Sequence, residues 1–191
     1  TTQAHRLVEK FTAQGAVARM TFEPSKGAIG TMTRGYLRSG AGGDALDPAA
    51  LALLFAADRL EHLQRDVLPS LARGEVIICD RYLLSSLAYQ GSFLDVEWVA
   101  ALNARAPAPD ITLFVDVDVE VAAGRRAQRG GVADQYEVDE VQRKVAANYR
   151  TFSGRPGLGR VVRVDGNGPM DAVTDVLWQH ALTAWQALPR R

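Results

Sequence analysis

The chain has 191 residues, carries 22 Lys and Arg against 22 Asp and Glu, and is 47% hydrophobic. That length and composition describe one folded domain over residues 1–191 with its own core, and exclude a disordered chain or a disulfide-stapled miniprotein. Zero net charge removes the electrostatic case for nucleic acid or an anionic membrane as the main partner and favours small molecules.

From Thr2 to Gln14 the apolar residues Ala4, Leu7, Val8 and Phe11 recur at helical spacing, and Gly15 stops the run. The chain opens on Thr1 with that pattern already running, so a front segment is expected ahead of it. Ala16 to Phe22 reads as a strand that feeds a turn at Glu23-Pro24-Ser25-Lys26-Gly27, and Ile29 to Leu37 reads as a helix. After a Gly-rich loop at 39–44, Asp47-Pro48 supplies an N-cap and a first-turn proline for a long helix to about Ala72. Its longest apolar run, Ala49 to Ala57, is about half of what a membrane span needs. Because Leu51, Leu53, Leu54 and Phe55 cannot all face one core, the helix is expected to be either central in the fold or shared with a second subunit, and the homodimer is the favoured reading.

Glu75 to Asp80 and Ile111 to Asp116 are short runs apolar on both faces, the pattern of strands buried in a parallel sheet. Helices are expected at about 95–105, 119–129, 137–152 and 169–188, with a last strand at Arg160 to Asp165. Strands alternating with helices imply an α/β fold with a parallel sheet covered by helices on both faces. Cys79 is expected as a buried, inert thiol in a reducing, cytoplasmic protein. His5, His62 and His180 have no ligand-spaced partners and read as surface or capping residues; Trp98, Trp178 and Trp185 read as packing.

In open parallel sheets ligands gather beyond the carboxyl ends of the strands, which here are Glu23-Pro24, Asp80-Arg81-Tyr82 and Asp116. A carboxylate that closes an apolar strand is costly to desolvate, but near water it can order the hydration shell of Mg²⁺. The guanidinium of Arg81 beside it matches phosphate oxygens, although a local Asp80–Arg81 ion pair serves as well. Phe55 and Arg59, one helical turn apart, share a face on which a ring can stack while a guanidinium reads a carbonyl. Arg125, Arg126 and Arg129 precede Gly130-Gly131, as in a hinged cationic segment over a transferring phosphoryl group or a solvated helix end.

Leu54-Phe55-Ala56-Ala57-Asp58-Arg59, followed by Asp80-Arg81-Tyr82 and Ser85-Ser86-Leu87-Ala88-Tyr89-Gln90-Gly91, resembles bacterial thymidylate kinase. Thr1-Thr2-Gln3 resembles the residues just after the P-loop lysine of that family, Glu23-Pro24 with Ile29-Gly30 its loop after the second strand, and Asp116-Val-Asp118 with Arg125-Arg126 the approach to its lid. The resemblance implies a three-layer P-loop NTPase fold of the nucleoside monophosphate kinase type, a lid at about 125–137, and transfer of a phosphoryl group from ATP to dTMP in dTTP biosynthesis. It implies that Thr1 and Asp80 manage Mg²⁺, that Thr1, Thr2 and Arg125 meet ATP, and that Arg81 holds the acceptor phosphate. Glu23, Pro24, Phe55, Arg59, Ser85, Ser86, Tyr89 and Gln90 would line the dTMP pocket, with the tyrosine ring favouring deoxyribose. Arg125 and Arg129, ahead of Arg126, would serve the transition state.

The sequence departs from the family where the G-x-x-x-x-G-K stretch is absent, which places a strand and loop of roughly 12–15 residues ahead of Thr1. Without them the sheet lacks a central strand and the chain as given is expected to be inactive. Phe22 replaces an arginine common before Glu-Pro, and Gln135 a lid arginine. Two other readings stay open: a kinase for another deoxynucleotide or a deoxynucleoside, and a non-catalytic nucleotide-binding or dimerising module.

Overall fold

Each apolar stripe finds a partner surface, and those pairings fix the order of layers. The computed structural model describes residues 1–40, 46–129 and 139–188. In chain order it contains α1 (Thr2–Ala13), β1 (Ala18–Phe22), α2 (Ala28–Gly40), α3 (Pro48–His62), a π-helical turn (Leu63–Val67), α4 (Leu68–Ala72), β2 (Val76–Asp80) and α5 (Leu83–Gln90). Next come α6 (Val96–Leu102), β3 (Ile111–Asp116), α7 (Val119–Arg129), α8 (Asp139–Phe152), β4 (Arg160–Asp165) and α9 (Met170–Ala187). The expected Gly-rich loop falls largely outside the described residues.

Gly15 closes α1 at φ +81°, a left-handed conformation that glycine adopts without strain. The α1 stripe buries Leu7 and Phe11 against Val164 of β4 and Val173, Leu177 and Ala181 of α9. Phe11 meets Trp178 and Trp185 edge-on at centroid distances of 4.9 and 5.6 Å. Trp98, by contrast, is 38% exposed, so it packs on one side only.

The long helix begins as the sequence predicts, with the Asp47 carboxylate accepting from the amides of Ala49 and Ala50. It is not uniform to its end: Pro69 has no N–H to give and its ring crowds the preceding turn, which widens into the π-helical segment before α4 resumes. Leu53 and Leu60, two turns apart on α3, are exposed. None of the described helices is long and apolar enough to cross a membrane.

The four strands form two parallel pairs, β1 with β2 and β3 with β4. Their registers bring Phe22 beside Asp80 and Asp116 beside Asp165, so each pair ends on a carboxylate at its C-terminal edge. Between β2 and β3 runs a cavity of about 2230 Å³, lined by Leu7, Ile77, Leu113, Val115 and Leu177. The expectation that β2 is buried on both faces is therefore corrected: every residue from Val76 to Asp80 is only half-buried, because one strand edge borders that cavity. Cys79 shares this exposure, while burial of its sulfur pushes the thiol pKa up and keeps it protonated.

The Phe11 ring carries the contact between α1 and α9. Phe11→Ala is expected to cost about 3–5 kcal/mol, read as a lowered urea midpoint, whereas loss of the exposed N-cap in Asp47→Ala costs about 1 kcal/mol.

Candidate active site

One turn of α3 binds the loop after β1. Arg59 is 2% exposed and gives Nε and Nη2 to Glu23 Oε2 at 2.9 and 2.6 Å. Its Nη1 donates to Ser86 Oγ of α5 at 3.0 Å and to Asn103 Oδ1 just past α6. The guanidinium also lies 5.1 Å from the Tyr82 ring centroid. These bonds use four of its five N–H groups and leave one on Nη2.

Asp58, fully buried, accepts from the amide and hydroxyl of Ser25 at 2.7 and 2.5 Å, and Glu61 accepts from the Ile29 amide. Arg34 of α2 caps the carbonyls of Pro24 and Ser25. A Cβ at Gly30 would meet Ser25 O at 2.2 Å and Asp58 Oδ1 at 2.6 Å, so only glycine lets α2 approach this loop. The Glu23–Pro24 peptide bond is cis.

His62 is not a surface or capping residue. It is 4% exposed, its Nε2 is 2.6 Å from Thr21 Oγ1, and its Nδ1 is 3.2 Å from Glu23 Oε1. The ring reaches Thr21 of β1 and Glu23 just after it, which the helix sequence alone does not reveal. Donor atoms of Glu23, His62 and Cys79 lie within 4.8 Å of one another. This group is a hydrogen-bond cluster, since Arg59 holds Glu23, both His62 nitrogens are engaged, the thiol donates to Arg81 O, and the guanidinium disfavours a second cation.

At the end of β2 the chain turns sharply: Arg81 has φ 73°, a left-handed conformation uncommon outside glycine. This turn aims Asp80 and Arg81 into the cavity. Thr1 Oγ1 donates to Asp80 Oδ2 at 2.6 Å. Burial works against the charged form of the Asp80 carboxyl, and the Thr1 hydroxyl and the Arg81 guanidinium work for it.

Arg81 is exposed to the cavity, its Cζ 4.8 Å from the Tyr89 ring centroid. Tyr149 of α8 completes this wall, with its hydroxyl 2.7 Å from Ser85 Oγ and its ring stacked 5.2 Å from Phe114. Burial pushes the Tyr149 phenol up to about 12, so it stays protonated at neutral pH. Gln90 is 3% exposed, and its Oε1 has no hydrogen-bond partner.

All the candidate residues with described side chains border one cavity: Thr1, Thr2, Glu23, Pro24, Phe55, Arg59, Asp80, Arg81, Ser85, Ser86, Tyr89, Gln90 and Arg125. Arg125 spends its guanidinium on the carbonyls of Gly166, Asn167 and Gly168, at 2.9, 3.3 and 3.4 Å. The side chains of Arg126 and Arg129 lie outside the described residues, as does the lid from 130 to 137. Asp58, His62, Asn103 and Tyr149 were not among the sequence candidates. Asp58 sits inside the Leu54–Arg59 motif, whereas Asn103 and Tyr149 reach the site from distant helices with no local signal.

The chain matches the family model described as thymidylate kinase over residues 1–176. The chain belongs to the thymidylate kinase family. It is similar to the "Probable thymidylate kinase" of Pyrococcus abyssi, 41% identical over 152 residues that cover 78% of this chain and 74% of that protein. It is also similar to the thymidylate kinases of Thermomicrobium roseum, 36% identical over 93% of this chain and 86% of the relative, and of Synechococcus sp. (strain JA-2-3B'a(2-13)), 36% identical over the same shares. Membership makes the chain a phosphotransferase with a P-loop NTPase fold, and the non-catalytic reading is not favoured.

Asp116, 7% exposed, receives Arg150 from α8 and Arg163 from β4. Burial pushes its carboxyl up, but the two guanidinium groups win and hold it below the ordinary aspartate value. A depressed folded pKa stabilises the protein above the unfolded value of about 3.9, and this contribution fades as pH falls through the folded value. Asp116→Asn should lower the urea midpoint at pH 7, and the gap to the parent chain should close as pH falls below the ordinary aspartate value of about 4.

Proposed function

We propose that this thymidylate kinase binds dTMP in the cleft between the loop after β1 and helix α5, and phosphorylates it to dTDP at the expense of ATP. The observation that carries the base assignment is the orphaned Gln90 Oε1. Ser86 and Gln90 are one turn apart on α5, and Ser86 is bonded to Arg59, so an acceptor without a donor faces the same wall as the spare Nη2 N–H. Thymine offers the complement: an N3–H donor flanked by carbonyl acceptors. Cytosine presents an acceptor at N3 and would leave Gln90 Oε1 unpaired, which costs affinity and gives discrimination.

Phe55 supplies an apolar face for the ring, and Tyr89 the wall beside the sugar. Arg81, held against Tyr89 and exposed to the cavity, takes the acceptor phosphate. Glu23 and Pro24 hold the loop that shapes this wall. Asp80 and the Thr1 hydroxyl offer hard oxygen donors at a strand end, which fits Mg²⁺. The ion would neutralise charge on the ATP phosphates during transfer.

Thr1 and Thr2 border the phosphate end of the cleft, and Arg125 fixes the 166–168 loop on the nucleotide side. Arg129, at the end of α7, is proposed to meet the transferring group, while Arg125 is committed to the carbonyls of the 166–168 loop. The gap between β2 and β3 borders the edges of two parallel strand pairs and has an apolar lining, which suits a further central strand of a three-layer fold. The exposed Leu53 and Leu60 provide the face of a homodimer, and the reading places the enzyme in the cytoplasm, with no role for nucleic acid or membrane.

Titration calorimetry tests the base assignment. The purified chain should bind dTMP well and dCMP at least tenfold more weakly; Gln90→Leu should weaken dTMP roughly fivefold to a hundredfold and remove most of the discrimination. Arg81→Ala should bring dTMP down to the affinity of thymidine, because the phosphate then has no cation of its own. Equal binding of dTMP and dCMP by the parent chain would contradict the assignment.

A further inference from the structure

His62 sits one turn from Arg59 on α3, and the dTMP-binding reading gives it no role. A carboxylate has no hydrogen to donate, so the 3.2 Å contact between His62 Nδ1 and Glu23 Oε1 requires the proton on Nδ1. On the other side of the ring Nε2 is paired with Thr21 Oγ1, so the imidazole is held at both ends. The consequence appears at Glu23. An arginine facing a lone carboxylate usually takes both oxygens in two parallel bonds. Here Nε and Nη2 of Arg59 both converge on Oε2, while Oε1 meets His62.

We propose that His62 is a positioning residue for pyrimidine recognition, acting through Glu23 on Arg59. By holding Oε1 it confines two guanidinium donors to Oε2, and this fixes the plane in which Nη1 meets Ser86 and Asn103 and the spare Nη2 N–H faces the base. With Oε1 released, the carboxylate turns about its last torsion to take Arg59 in two parallel bonds, and the guanidinium rotates away from Ser86. The other charged groups around the ring fit this role: Asp66 lies 3.7 Å from Nε2 but is drawn outward by Arg19, and Cys79 remains a neutral thiol. The inference rests on the assignment of Arg59 to the base.

Two substitutions separate the donor from the bulk. In His62→Asn the amide nitrogen overlays Nδ1 and keeps the bond to Glu23; in His62→Gln the amide overlays Nε2 and keeps Thr21 instead. Calorimetric titration with dTMP and dCMP, with urea midpoints for each variant, gives the readout. The expected result is a fivefold to tenfold loss of dTMP affinity in His62→Gln, about the value of one hydrogen bond, with discrimination against dCMP reduced. His62→Asn should stay within about twofold of the parent chain. Equal losses in both variants, following the fall in midpoint, would assign His62 to packing and overturn the proposal. Arg59→Lys serves as the reference. If it leaves dTMP affinity and discrimination intact, the base assignment fails and this inference with it; if it abolishes discrimination while His62→Gln does not, the inference alone is overturned.

Discussion

A guanidinium buried to 2% exposure in the wall of a cleft is the constraint on which the rest of the site depends. The desolvation cost of Arg59 must be met by a full negative charge at contact distance, and Glu23 provides it, itself 2% exposed at the side chain. Neither residue can leave without stranding the other, so the end of β1 and the last turn of α3 are locked together. The remaining guanidinium donors extend the lock to α5 through Ser86 and to the end of α6 through Asn103. Around this pair the neighbouring residues of α3 bind the loop after β1: Asp58 takes Ser25, His62 takes Glu23, and Glu61 takes Ile29. A single buried cation thereby fixes the relative positions of four segments, three of which border the cleft.

The opposite side of the cleft is built on a different principle. Around β3 and β4 the charges are nearer water, with Arg150 and Arg163 both partly exposed where they meet Asp116. Arg125 satisfies three carbonyls of the 166–168 loop, so that loop is shaped by one side chain from the helix leading toward the lid. Between the two halves, Asp80 and Arg81 project from a strand end through a left-handed residue. The rigid, desolvated side suits selection of a base by hydrogen-bond pattern. The more open, charged side suits phosphates, which stay partly hydrated and are met by several cations in turn.

Most of the helices, their order and the strand ends were legible in the sequence, because the signals are local: the Leu7–Phe11 stripe, the Asp47-Pro48 start, and the apolar runs that end on Asp80 and Asp116; the helix α5 was not expected as one. The motif from Asp80 to Gly91 carried the family resemblance, and the family match bears it out. What was not legible depends on which surface an element meets. His62 looked like one polar residue on a helix, and only its contacts with Thr21 of β1 and with Glu23 show that it faces inward. Arg59 was expected to read a base, yet nothing local says that four of its N–H groups are committed to Glu23, Ser86 and Asn103, whose positions are 36, 27 and 44 residues away. The half-exposure of β2 and Cys79 comes from the cavity beside them, a property of the gap and not of the strand.

The most direct test of this account is a double-mutant cycle on Glu23 and Arg59, read as unfolding free energy in urea. Glu23→Gln alone should cost about 3–5 kcal/mol by leaving a buried charge unpaired. Combining it with Arg59→Met should restore much of that stability, giving a coupling energy well above about 1 kcal/mol. Costs that simply add, within about 0.5 kcal/mol, would show that the ion pair does not hold the two elements together and would contradict the account.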